Sequence, residues 1–100
     1  MDTIETVIEK FPFEKVHQYM VATDWKWLIP TRLTMGVPTI EELKDTAREL
    51  LQEAQNSKRP YSSCSTGGLV ADKFTWDGII ELRLSFVPWS SRAHIKEGKV

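Results

Sequence analysis

Cysteine is almost missing from this chain: Cys64 stands alone in 100 residues, which excludes an intrachain disulfide framework and a cysteine-rich zinc site from one copy. A reducing compartment fits that usage. An excess of one charge is missing too, since 13 Lys and Arg face 14 Asp and Glu for a formal net charge of −1. So even a balance projects no broad positive field, and duplex DNA is a poor default partner. No stretch approaches the ~18 consecutive apolar residues of a spanning helix. The opening Met1-Asp2-Thr3-Ile4-Glu5 lacks the basic and apolar regions of an export signal. The expectation is a soluble cytoplasmic chain with no membrane contact. Histidine is scarce as well, with only His17 and His94. What is present is a hydrophobic fraction of 41% with four tryptophans, suited to one small core. The expected organisation is a single domain over 1–89 followed by a weakly basic, flexible tail over 90–100.

Helical spacing of Ile4, Val7, Ile8 and Phe11 predicts a short amphipathic N-terminal helix, capped by Asp2 with Glu5 three residues on. Pro12 suits the first position of a second helix, where a missing N–H is harmless. Its apolar face would take Phe13, Val16, Met20 and Val21, ending near Thr23. The aromatic Asp24-to-Pro30 segment reads as a short strand or ordered loop, and Pro30 to Gly36 as irregular. Thr39-Ile40-Glu41-Glu42 matches a capping box, opening a helix over 39–56 with Ile40, Leu43, Ala47, Leu50, Leu51 and Ala54 as its stripe.

After Pro60 the period becomes two. Ile80, Leu82, Leu84 and Phe86 alternate with Glu81, Arg83 and Ser85, the pattern of a strand with one buried face. Asp77-Gly78 is a hairpin turn signal. A two-residue loop there sets Trp76 opposite Ile79, Ala71 opposite Leu84, Leu69 opposite Phe86, and Asp72 opposite Arg83 as a charge pair. Upstream, Gly67-Gly68 reads as a bulge, with 61–66 continuing as a bent strand. The expected fold is α+β: N-terminal helices packed on a C-terminal antiparallel hairpin or small three-stranded sheet. Two strands alone are marginal, so 61–66, the Trp25–Leu28 segment or a second protomer must complete the sheet.

No motif names a reaction. The run Ser62-Ser63-Cys64-Ser65-Thr66 offers nucleophiles beside Gly-Gly, but nothing places an imidazole next to them, and a strand rather than a helix follows, against a phosphate loop. Two scattered histidines make no metal set. No catalytic residue, metal or cofactor is therefore expected, and the chain reads as non-enzymatic. Surplus tryptophan points instead to contact. The candidate interaction residues are Trp25, Trp27, Gly67, Gly68, Phe74, Trp76 and Trp89, with Phe74 and Trp76 on the sheet face opposite Leu82 and Leu84. A homodimer is one use of such a surface. Stacking of single-stranded nucleic acid, with Lys26, Arg32 and Lys73 supplying charge, is the runner-up.

One ordered set of segments carries a resemblance: Phe13-Glu14-Lys15-Val16-His17, Trp25-Lys26-Trp27, Val37-Pro38-Thr39-Ile40-Glu41-Glu42-Leu43-Lys44, and Ser65-Thr66-Gly67-Gly68. In that order they resemble small uncharacterised proteins of bacteriophages and prophages, over roughly residues 13–71. Those relatives separate the Trp-x-Trp pair from Val-Pro-Thr by a shorter turn, so Leu28 to Gly36 reads as an insertion. The resemblance implies a phage origin and a place of action in the host cytoplasm, and it transfers no activity and no catalytic residue. The expected function is that of a non-enzymatic phage accessory protein that binds and modulates a host protein, with defence-system components among the candidate partners.

Overall fold

The computed structural model describes residues 3–29 and 34–88. The element order is α1 (Ile4–Lys10), α2 (Phe13–Ala22), β1 (Trp27–Ile29), β2 (Thr34–Gly36), α3 (Ile40–Asn56), β3 (Tyr61–Thr66), β4 (Leu69–Trp76) and β5 (Ile79–Phe86). The fold is α+β. The chain divides into two compact units, Met1–Phe11 with Ala47–Val100, and Pro12–Thr46. The inserted stretch carries an apolar set of its own, Phe13, Val16, Met20, Trp25, Trp27, Ile29 and Leu43, all buried.

In the Pro12–Thr46 unit, α2 starts directly after Pro12 and buries Phe13, Val16 and Met20. Val21, expected on that face, is exposed, because one further residue turns the helix about 100° past Met20. The helix ends in a Schellman arrangement. Asp24 takes a left-handed φ of 51°, its N–H donates to the Val21 carbonyl (3.2 Å), and the Trp25 N–H donates to the Met20 carbonyl (2.9 Å). This motif normally places glycine at the left-handed position, and aspartate is among the few side chains that tolerate it. It folds the chain back over the helix end, leaving Trp25 8% exposed with its ring 6.0 Å from that of Tyr19. β1 and β2 then pair antiparallel, Trp27 opposite Gly36. The sequence left 34–36 irregular, and a strand of three residues is too short to display a period. The capping box forms as read: the Thr39 N–H donates to Glu42 Oε1 (2.8 Å) and the Glu42 N–H to Thr39 Oγ1 (3.1 Å).

In the other unit, α1 is capped by Thr3, whose Oγ1 accepts from the Thr6 N–H at 3.2 Å. Asp2, the expected cap, lies outside the described residues. The sheet is an antiparallel meander in the order β3-β4-β5. The β4–β5 register pairs Trp76 with Ile79, Asp72 with Arg83, Ala71 with Leu84 and Leu69 with Phe86, the pairing read from Asp77-Gly78. Gly67-Gly68 is a chain reversal instead of a bulge. Thr66 pairs with Leu69 and Tyr61 with Phe74, and both glycines have positive φ, 58° and 99°. Positive φ at both central positions matches a type I′ hairpin turn, whose twist suits the flanking strands. Asp77 and Gly78 repeat it with φ of 51° and 76°.

One face of this sheet carries Leu69, Ala71, Lys73 and Leu82, all buried, and turns toward the helices. Cys64 on that face meets Glu53 of α3, and α1 contacts β5. Arg48 of α3 holds Glu5 of α1 through Nε to Oε2 (2.8 Å) and Nη2 to Oε1 (3.3 Å). Lys73 is the polar member of this layer. It is 4% exposed, and its Nζ donates to the Ser57 carbonyl, just past the C-terminus of α3. No basic residue occupies the last turn of α3, so a cation from the sheet meets the negative end of the dipole. Lys73 is thus not available for the nucleic-acid contact that the sequence assigned to it. Residues 89–100, including the expected tail, lie outside the described residues.

Candidate interaction face

Strand alternation sends every second side chain of β3, β4 and β5 to the face that points away from α1 and α3. The pairing places there Tyr61, Ser63 and Ser65 of β3, Val70, Asp72, Phe74 and Trp76 of β4, and Ile79, Glu81, Arg83 and Ser85 of β5. Its apolar part lies toward the Asp77-Gly78 end. Trp76 is 58%, Tyr61 54% and Ile79 49% exposed, and Phe74 between them is half-buried.

Tyr61, Phe74, Arg83, Glu81 and Asp72 of this face hold one another in place. Tyr61 and Phe74 face each other across strands with ring centroids 5.1 Å apart and planes tilted by 46°. The Arg83 guanidinium carbon stands 4.8 Å from the centre of the Phe74 ring, within cation–π reach. Arg83 Nε also binds Glu81 Oε2 at 2.9 Å, while the Tyr61 hydroxyl donates to Asp72 Oδ1 at 3.4 Å. The sequence correctly set Asp72 opposite Arg83, but the guanidinium pairs with Glu81. Glu81 lies two residues away on the same face of its own strand, and stacking on Phe74 carries the guanidinium toward it. The result is an aromatic surface bordered by the Arg83–Glu81 ion pair and by Asp72, with Trp, Tyr and Arg together as in energetically dominant interface centres.

Trp25 and Trp27 are buried, at 8% and 6% exposure, whereas Trp76 is exposed. For Trp25 the helix-end motif decides this, and for Trp27 the inward side of a short strand. Gly67 and Gly68 shape the β3–β4 turn. Trp89 lies outside the described residues. Tyr61 was missed as a contact residue, because its place beside Phe74 depends on Gly67-Gly68 being read as a turn. Its signal was available: the spacing Tyr61 to Gly67 equals the strand length that such a turn pairs with 69–74.

The chemistry of Cys64 runs against an activated nucleophile. Burial, then the hydrogen bond and charge of Glu53, and then the charge of Asp72 push the thiol above its ordinary pKa, which favours the unreactive protonated form. His17 is half-buried on α2, and His94 lies outside the described residues. Among the described residues, no group of three or more His, Cys, Asp or Glu is placed to hold a metal ion, and no helix is long and apolar enough to cross a membrane. No protein-family model, curated protein or solved structure matches this chain.

Proposed function

We propose that this chain is a non-enzymatic binding protein that docks its exposed sheet face onto another protein. In line with the resemblance to phage and prophage proteins, the partner we propose is a host protein, modulated in the host cytoplasm, with antiviral defence components among the candidates. The observation that supports this reading best is the surface formed by exposed Tyr61, Trp76 and Ile79 around half-buried Phe74, in which Tyr61 and Arg83 already pack on Phe74. Contiguous apolar area rimmed by polar groups is the usual mark of a protein contact. Preset side chains lose little rotamer freedom on docking.

Single-stranded nucleic acid is the alternative, since bases stack on such rings. Two features of the surface weigh against it. Asp72 and Glu81 share the face with Arg83, and Lys73 is committed to the end of α3. The phosphate attraction that drives such binding is therefore weak here.

The test is affinity capture from host lysate with wild type, Trp76→Ala and Val21→Ala, the last being an exposed residue of the other unit. Recovery of one partner by wild type and Val21→Ala, but not by Trp76→Ala, is the expected result. Equal recovery by all three proteins refutes docking through this face. Tight, salt-dependent binding of oligonucleotides with no protein partner would install the alternative.

A further inference from the structure

We propose that β3 is a pairing edge, and that its occupant is a second copy of this chain, joined antiparallel to give a continuous six-stranded sheet. β3 is the terminal strand of the meander, and the hydrogen-bond parity of its residues is fixed. The Thr75 N–H donates to the Pro60 carbonyl at 2.7 Å, and Thr66 pairs with Leu69 across a two-residue turn. Even-numbered residues of the strand therefore direct their backbone groups at β4, and Tyr61, Ser63 and Ser65 direct theirs outward. Among the described residues, these outward N–H and C=O groups have no partner.

Sheet edges are normally protected by lysine, proline, a bulge or an inward charge. β3 has none of these: its sequence is Tyr-Ser-Ser-Cys-Ser-Thr, and its ladder with β4 is unbroken. The other edge, β5, contains Glu81 and Arg83. Self-pairing suits an uncharged strand, because a two-fold axis opposes residues of one sequence and without charges no register sets like charges together. With the axis at Ser63, that residue meets the partner's Ser63, and Tyr61 meets the partner's Ser65. Every outward N–H then finds a C=O on the other copy, and the side chains at the centre are small enough for close approach. Outer faces of the two copies become continuous, but the pairing does not depend on what docks there.

Sedimentation equilibrium of wild type, Ser63→Pro and Ser63→Lys decides the matter, with circular dichroism to confirm folding. Proline at 63 removes an N–H that points away from β4, so the internal ladder survives. Lysine sets two like charges against each other only in the pair. The expected masses are twice 11.5 kDa for wild type and 11.5 kDa for each folded variant. If Ser63→Pro does not fold, Ser63→Lys alone carries the comparison. A monomeric wild type at high concentration overturns the proposal, and so does a dimer that persists in the folded variants.

Discussion

Replacing Gly78 by alanine isolates the strain of the turn that builds the exposed face. Gly78 has a φ of +76°, and a β-carbon added there would meet nothing within 4 Å. Steric clash with the rest of the protein therefore contributes nothing, and the whole penalty is the left-handed backbone, about 1–2 kcal/mol for a residue with a β-carbon. At about 4–8 °C per kcal/mol for a domain of this size, Gly78→Ala should melt about 4–16 °C below wild type. Gly36 gives the matching control, since its added β-carbon also meets nothing within 4 Å and its φ lies outside the left-handed range. Gly36→Ala should leave the protein as stable as wild type or raise its stability by about 0.4–1 kcal/mol, because the unfolded chain loses freedom. Thermal melts followed by far-ultraviolet circular dichroism, checked against urea unfolding, read both. Coincident melts of Gly78→Ala and wild type would refute the turn assignment, because no left-handed residue would then be needed between Trp76 and Ile79.

Lys73→Ala strips a buried stem and leaves the Ser57 carbonyl without its donor, for a loss of about 2–4 kcal/mol in urea unfolding. Lys73→Met keeps most of the packing and should lose clearly less, so equal losses would contradict a packed stem. The Arg48 guanidinium holds the Glu5 carboxyl below its ordinary pKa through their hydrogen bond. The contribution of that pair is complete above the ordinary carboxylate value and disappears as pH falls through the lowered one. Glu5 is fully exposed, so the effect is small, and Glu5→Gln should flatten the acid limb of the stability profile; an unchanged limb argues against the pair. Cys64 should react slowly with iodoacetamide at neutral pH and faster as pH rises beyond the ordinary thiol range. Glu53→Gln should accelerate it, whereas a fast neutral reaction would contradict the raised pKa.

Much of the local structure was legible because its causes are local. The Thr39–Glu42 box is a matter of reach between neighbouring residues, and the β4–β5 register follows once Asp77-Gly78 turns the chain and Leu82 and Leu84 must face inward. The α+β class and the apolar stripe of α3 came from periodicity in the same way, with Leu43, Ala47, Leu51 and Ala54 buried and Ile40 and Leu50 half-buried at its margin. Gly67-Gly68 was ambiguous: a bulge and a type I′ turn both use glycine, and only the partner of Tyr61 distinguishes them. The aromatic side of the sheet was legible at Phe74 and Trp76, which share a strand, and incomplete without Tyr61, which reaches them through that second turn.

The sequence by itself determined the three helices and the β4–β5 hairpin, because turn chemistry, caps and hydrophobic period act within a few residues. Tertiary structure decided the fate of side chains whose identity suits more than one environment. Trp25 and Trp27 are buried while Trp76 is exposed, since burial depends on which surfaces converge. Lys73 reads as a surface cation but caps α3 across 16 residues of chain. That contact exists because the meander carries β4 beneath the end of the helix, a distance in space that no spacing in the sequence records.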